Sequence, residues 1–404
     1  MNKKILEQYG YKTEQIEKIL NNHSLKPYKK ETLTTSIVQV FEFLKSLGYT
    51  KNEIIKMTYS YPALFSYSIE NMEQKIKDIE TLGYNKTEIL KMTVLSPQLF
   101  GTSIENIKQK IENLKAIGYH NSQILKMIKK SPSILGYNKE SINQKISELE
   151  QIGYSKEQII KMTNVTPSIL TQGIESIKEK IKNLIEIGYS SNEVLKMTVS
   201  LPMIFNFNTL NIKQKLNDLI NEGYTKQQAL KITFQRPQIY TYGTNCIKEK
   251  INELIKLGFT KEQIINMSVT LPSILGYSKE KIKSKIDFFQ SLGYTKEEII
   301  RIITSLPSIL GFTNENLTNK INLFKQIGLE HLIVNDPKRL MQGVELTSAR
   351  YNYLKEERNI EIDRDNCIQL FIGEKRFAKK YDISKEELLE RYPYLEESKT
   401  LKKR

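Results

Sequence analysis

A glycine returns every 35 residues along most of this chain, at Gly48, Gly83, Gly118, Gly153, Gly188, Gly223, Gly258, Gly293 and Gly328. A proline keeps the same interval, at Pro62, Pro97, Pro132, Pro167, Pro202, Pro237, Pro272 and Pro307. A fixed period of roughly 20–50 residues marks a stacked repeat array, in which each unit buries its apolar face only against its neighbours. By length alone, 404 residues could make two or three ordinary domains. The period overrides that reading and predicts eight full units over residues 48–327.

Residues 1–47 read as a degenerate capping unit. Gly10-Tyr11-Lys12-Thr13-Glu14 copies the repeat opening and Pro27 stands 35 residues before Pro62, but Gly10 and Pro27 are 17 apart rather than 14. Terminal repeats are commonly atypical because they close the stack. From 328 to 404 the period is lost, and the segment reads as a non-repeating helical cap with a charged end at Lys402, Lys403 and Arg404.

Each unit predicts two helices and a short turn. A small polar residue two places after the glycine (Thr50, Ser155, Ser190, Thr225, Thr260, Thr295) is followed three residues later by Glu or Gln, the spacing of a capping box. The proline ends this first helix and opens a Pro-Ser-Ile-Leu type stretch, as at Pro132–Leu135, that suits one 3₁₀ turn plugging the core. A second helix follows Ser68, Ser103, Asn138, Gly173, Asn208, Gly243, Ser278 or Thr313. In the Gly48 unit its apolar positions Ile69, Met72, Ile76, Ile79 and Leu82 form one stripe of helical period. The next glycine falls where a left-handed residue closes a helix. The aromatic after it, such as Tyr49, Tyr84 or Phe259, is expected to pack between units.

Copies within one chain can be compared column by column. The second helix carries a lysine in every full unit: Lys75, Lys110, Lys145, Lys180, Lys215, Lys250, Lys285 and Lys320. The residue three places on drifts through Asp78, Asn113, Glu148, Asn183, Asp218, Glu253, Phe288 and Leu323. A helical i,i+3 ion pair therefore cannot account for all eight. A lysine stem covering apolar surface at the seam is one remaining role, and a shared contact to nucleic-acid phosphate is the other; the expectation adopted is phosphate. A second, weaker candidate column lies late in the first helix, at Lys56, Lys91, Lys126, Lys161, Lys196, Lys231 and Arg301, with Asn266 in the remaining unit. Favourable interaction with the helix C-terminus would also explain cations there. Arg236, directly before Pro237, joins this weaker set. The pair before the proline region varies most (Tyr59/Ser60, Val94/Leu95, Lys129/Lys130, Asn164/Val165, Phe234/Gln235), as specificity readers or neutral surface residues do.

Charge points the same way. The chain carries a formal +15, and from Glu330 onward 16 Lys/Arg face 15 Asp/Glu, so +14 lies in the cap and repeats. A basic array suits a polyanion, nucleic acid first. The expected partner is double-stranded DNA, with RNA a further option; the alternative is an interaction scaffold for an acidic protein. Two cysteines, Cys246 and Cys367, make no disulfide framework. The three histidines, His23, His120 and His331, sit in unrelated contexts, and no CxxC, Gly-rich phosphate loop or nucleophile elbow is present. No enzyme, cofactor or metal is expected. The opening MNKKILEQYGYKTEQ lacks an apolar secretory core, and the first arginine is Arg236. The expectation is a monomeric cytoplasmic protein without membrane spans.

The run G-Y-[ST]-K-E-[QE]-I-[IL]-K-M followed by L-P-S-I-L, as in Gly293 to Leu310 with Arg301 and Ile302 at the K-M places, resembles the repeat of the mitochondrial transcription termination factor (mTERF) family. The likeness covers 48–327 closely and 1–47 loosely. It implies units of two α-helices plus a 3₁₀ turn stacked into a curved, left-handed superhelix. It also implies a basic concave path for double-stranded DNA, or RNA in some members, through which transcription is regulated or stopped.

Overall fold

A computed structural model describes residues 2–243 and 245–394. The described chain is an all-α helical-repeat solenoid with no strand. It divides into two compact units, Met1–Asn211 and Ile212–Arg404. The charged end at Lys402, Lys403 and Arg404 lies outside the described residues.

In the N-terminal unit the first helices Lys51–Ser60, Lys86–Leu95, Asn121–Lys130, Lys156–Val165 and Ser191–Ser200 pack side by side in one layer. The helices Lys30–Leu47, Ile69–Glu80, Ile104–Ile117, Lys139–Ile152 and Ile174–Ile187 form the other. Between the layers run the proline-led 3₁₀ turns, such as Pro62–Ser66 and Pro132–Gly136, whose Leu64, Phe65 and Ile134 are buried. Ile54, Met57, Met72 and Ile79 complete the core of one repeat. Each such side chain contributes about 1.5–3 kcal/mol through burial, so the stack is held by its apolar columns.

The ends of the helices follow the local chemistry. Seven of the eight first-helix N-caps accept a hydrogen bond from the amide three residues on. At His120 only the return bond is made, from its own amide to Gln123 Oε1 at 2.8 Å. Gly118 closes its helix at φ +121°, a region that a side chain disfavours. One second helix departs from expectation: it begins at Cys246 behind Asn245, which stands at φ 64°, rather than directly after Gly243.

The N-terminal segment folds as Thr13–Leu20, His23–Leu25 and Lys30–Leu47, preceded by a helix Asn2–Gln8. Pro27 does not open its 3₁₀ turn as Pro62 does; it follows it. In the C-terminal unit, the segment read as non-repeating begins with a shortened repeat. Its first helix is cut to His331–Asn335, then come the 3₁₀ turn Pro337–Met341 and the second helix Val344–Glu356. Gly328 and Pro337 are only 9 residues apart, so the lost residues fall in the first helix while the rest of the plan survives. Cys367–Phe371, Glu374–Tyr381 and Lys385–Arg391 close the stack.

Candidate nucleic-acid interface

The capped first helices turn Ile54 and Met57 inward, or their counterparts, and leave one stripe in solvent. Lys56, Lys91, Lys126, Lys161, Lys196, Lys231 and Arg301 are all exposed on this stripe, as is Asn266, and Arg236 is exposed at the C-cap of its helix. Among the described residues none of these cations makes an ion pair or a side-chain hydrogen bond within the protein. The seven column cations also stand ahead of the final helical turn, which contains no basic residue in six of the seven helices and only Lys129 and Lys130 in the seventh. The helix-terminus effect fades within one turn, so it does not account for the column. Three residues before the cation stands the capping Glu or Gln. Glu53 and Glu193 are held below the usual carboxylate range first by backbone hydrogen bonds at Thr50 and Ser190, with the lysine contributing least. Four residues beyond the cation lies the second member of the variable pair. Ser60, Leu95, Lys130, Val165 and Gln235 are exposed beside it.

The stronger candidate column lies elsewhere. Lys75, Lys180, Lys285 and Lys320 are buried, at 5–9% exposure, and Lys110, Lys145, Lys215 and Lys250 are half-buried. Their ammonium groups reach into the next repeat or onto their own helix. Lys110 Nζ donates to Tyr137 O at 2.7 Å, and Lys215 Nζ to Gly243 O at 2.8 Å. Lys285 Nζ donates to Phe312 O at 2.8 Å and to Asn314 Oδ1 at 2.6 Å. Lys180 Nζ donates to Phe207 O and Thr209 Oγ1, and Lys320 Nζ to Gln342 O. The carbonyls of Tyr137, Phe207, Phe312 and Gln342 each close a 3₁₀ turn just before the next second helix begins, where carbonyl groups draw a cation; Gly243 lies one residue beyond that position. Lys75, Lys145 and Lys250 pair instead with Asp78, Glu148 and Glu253. The eight lysines expected to face phosphate thus have their ammonium groups engaged inside the protein, across a repeat junction or along their own helix. Burial lowers the Lys180, Lys285 and Lys320 pKa values from the ordinary lysine value, as an ammonium drawn out of water requires.

The mTERF family model matches residues 2–116, 172–291 and 211–364, together well over half of the sequence. The chain belongs to the mTERF family. A search of curated proteins returned no match. mTERF proteins are helical-repeat nucleic-acid binders associated with transcription termination and are generally not enzymes. Among the described residues of this mTERF chain, no helix is long and apolar enough to cross a membrane, and no group of three or more His, Cys, Asp or Glu could hold a metal.

Two features of this mTERF array were not read from the sequence, the hydroxyl bonds of the aromatic column and the role of Arg350. The aromatic after the repeat glycine packs between units as expected, and most of its tyrosine hydroxyls also bond there, whereas Tyr294 Oη is buried without a partner among the described residues. Tyr11 meets Thr58 at 2.7 Å, Tyr119 meets Thr163 at 2.6 Å, Tyr154 meets Thr198 at 2.7 Å and Tyr224 meets Ser268 at 2.7 Å. Each threonine also donates to the carbonyl four residues back, as Thr163 does to Ile159 O, so the tyrosine is the donor to the threonine. Where the partner column is Ile128, Tyr84 donates to Leu125 O instead. Where it is Ile303, the aromatic is Phe259, and both are buried. That matched exchange was the available signal. The other missed residue is Arg350, which takes the lysine's place in the shortened repeat: its Nη1 donates to Leu370 O at 2.8 Å and Ile372 O at 2.7 Å.

Proposed function

We propose that this protein binds double-stranded DNA through phosphate contacts made by the exposed first-helix cations, and so regulates or terminates transcription. Lys56, Lys91, Lys126, Lys161, Lys196, Lys231 and Arg301 supply the contacts, with Arg236 beside them. The observation that carries this reading is the recurrence of an exposed cation without an internal partner in seven of eight repeats. Lys110, Lys180, Lys215, Lys285 and Lys320 tie one repeat to the next behind that surface, while Lys75, Lys145 and Lys250 pair along their own helices. Neighbouring packed helices lie about 8–10 Å apart, and phosphates along one strand step by about 3.4 Å. One cation per repeat therefore meets a phosphate roughly every three base pairs.

Lysine dominates the column, so affinity comes from charge more than from bidentate base reading, for which arginine is the better residue. The exposed variable residues one turn on supply whatever sequence preference exists. The test is a fluorescence-anisotropy titration of a duplex over a series of salt concentrations, with duplex RNA and single-stranded DNA as competitors. Duplex DNA should bind at low salt, with log Kd rising by about 0.9 per neutralised phosphate for each decade of salt. Absence of binding at about 50 mM salt would remove this reading and leave the scaffold for an acidic protein. Stronger competition by duplex RNA would move the target to RNA.

A further inference from the structure

The closing segment of the C-terminal unit contains a cleft of about 550 Å³ that the repeat surface does not use. Lys338, Arg339, Arg350 and Lys385 contribute to its walls, against Glu345 and Glu374. Two helices, Val344–Glu356 and Glu374–Tyr381, begin at this cleft. Both start behind a glycine, Gly343 and Gly373, and neither N-terminus receives a side-chain cap. Seven of the eight first helices of the repeats are instead capped by Ser, Thr or Asn, although the second helix behind Gly173 also starts without a side-chain cap. An uncapped N-terminus leaves amide donors and a partial positive charge for an anion.

Arg350 adds an independent observation. It is 2% exposed, and while Nη1 is held by the Leu370 and Ile372 carbonyls, Nε has no acceptor among the described residues. A buried guanidinium normally has its donors satisfied. Around it, Lys338 is exposed, Arg339 lies over the Phe371 ring at 5.2 Å, and Lys385 neutralises Glu374 at 2.8 Å. Glu345 is exposed, and its Oε2 lies 3.2 Å from where a side chain on Gly343 would begin. The helix start is thus covered by a carboxylate free to swing into solvent. The volume falls in the range of about 300–1,000 Å³ typical of small-molecule sites, too large for a bare anion, and Phe371, Met341 and Leu389 give it an apolar side.

We propose that this cleft binds a phosphomonoester of nucleotide size, with the phosphate between the two glycine-led helix starts and the nucleoside against Phe371. Free nucleotide and the 5′-phosphorylated end of a strand share this chemistry. Calorimetry on the full chain with adenosine monophosphate, and anisotropy with duplexes carrying 5′-phosphate or 5′-hydroxyl ends, separate the two sources. Binding of the mononucleotide, weakened about ten-fold in Lys338→Gln/Lys385→Gln while helicity persists, supports the free nucleotide. A 5′-phosphate preference lost in the same variant supports the strand end. If the double variant loses helicity, Lys338→Glu alone is read in its place, since that side chain is exposed. No binding of either probe at about 1 mM, or equal binding by wild type and the folded variant, overturns the proposal. Duplex binding through internal phosphates is a separate readout, so failure here leaves the first-helix interface standing.

Discussion

The Tyr119 hydroxyl lies 2.6 Å from Thr163 Oγ1, 44 residues further along and one repeat away, with both side chains buried. The threonine in turn donates to Ile159 O at 2.6 Å. Tyr119→Phe therefore removes a donor but leaves the threonine satisfied, and should cost about 1 kcal/mol. Thr163→Val strands the tyrosine hydroxyl and should cost about 1–3 kcal/mol. The double variant imitates the Phe259 and Ile303 columns and should cost less than the sum by at least about 0.5 kcal/mol. Urea denaturation of the four proteins measures the cycle, and strict additivity would show that the pair does not interact.

Burial pushes the hydroxyls of Tyr49, Tyr119, Tyr154 and Tyr224 up to about 12 from 10.0. A group raised on folding stabilises fully below its unfolded pKa and loses that contribution as pH rises through the folded one. The chain should accordingly unfold between pH 10 and about 12, each tyrosine withdrawing up to about 3 kcal/mol. Lys180, Lys285 and Lys320 act in the opposite sense, since their lowered pKa values make stability rise with pH below 10.5. Tyrosinate absorbance followed beside circular dichroism tests this. Ionisation of all tyrosines near pH 10 with helicity intact would contradict it.

Removing the inner lysines should affect folding rather than binding. Lys285→Ala leaves Phe312 O and Asn314 Oδ1 without their donor, a loss of about 1–3 kcal/mol. The duplex salt slope should stay unchanged. A variant of normal stability and flattened slope would return this column to the phosphate.

The outer column should behave in reverse. Lys91→Gln, Lys126→Gln, Lys161→Gln and Lys196→Gln together should flatten the salt slope by up to about four units. Their melting temperature should stay close to that of the wild type, because surface changes away from packed features are small. A slope unaltered in the folded quadruple variant would place the contacts on another face.

Much of the architecture was legible because it rests on local rules. Gly118 at positive φ, Thr50 with Glu53, and Pro62 at the start of its 3₁₀ turn are each a few residues of backbone chemistry. The internal engagement of the second-helix lysines was not legible from recurrence, because an unvarying residue can be held by a neighbour as firmly as by a ligand. Spacing contained the signal: Lys180 falls on the buried stripe with Ile177, Leu184 and Ile187. Its acceptor, Phe207 O, lies 27 residues away and could not be seen without the stack. The shortened repeat at 328 breaks the fixed interval, and deletion in its first helix hides a plan that the turn Pro337–Met341 still follows.

Arg350 reaches the carbonyl of Ile372 22 residues on, the same separation as Lys320 and Gln342. In full repeats such as Lys110 and Tyr137 that separation is 27. The clamp has thus survived a change in repeat length, because it depends on what docks at the turn and not on the count between glycines. For anyone building on this scaffold, the first helix is the adjustable part and the turn-to-helix junction is the fixed coupling. Modules of unequal length can be joined in series provided the second helix of one offers a cation and the 3₁₀ turn of the next an open carbonyl.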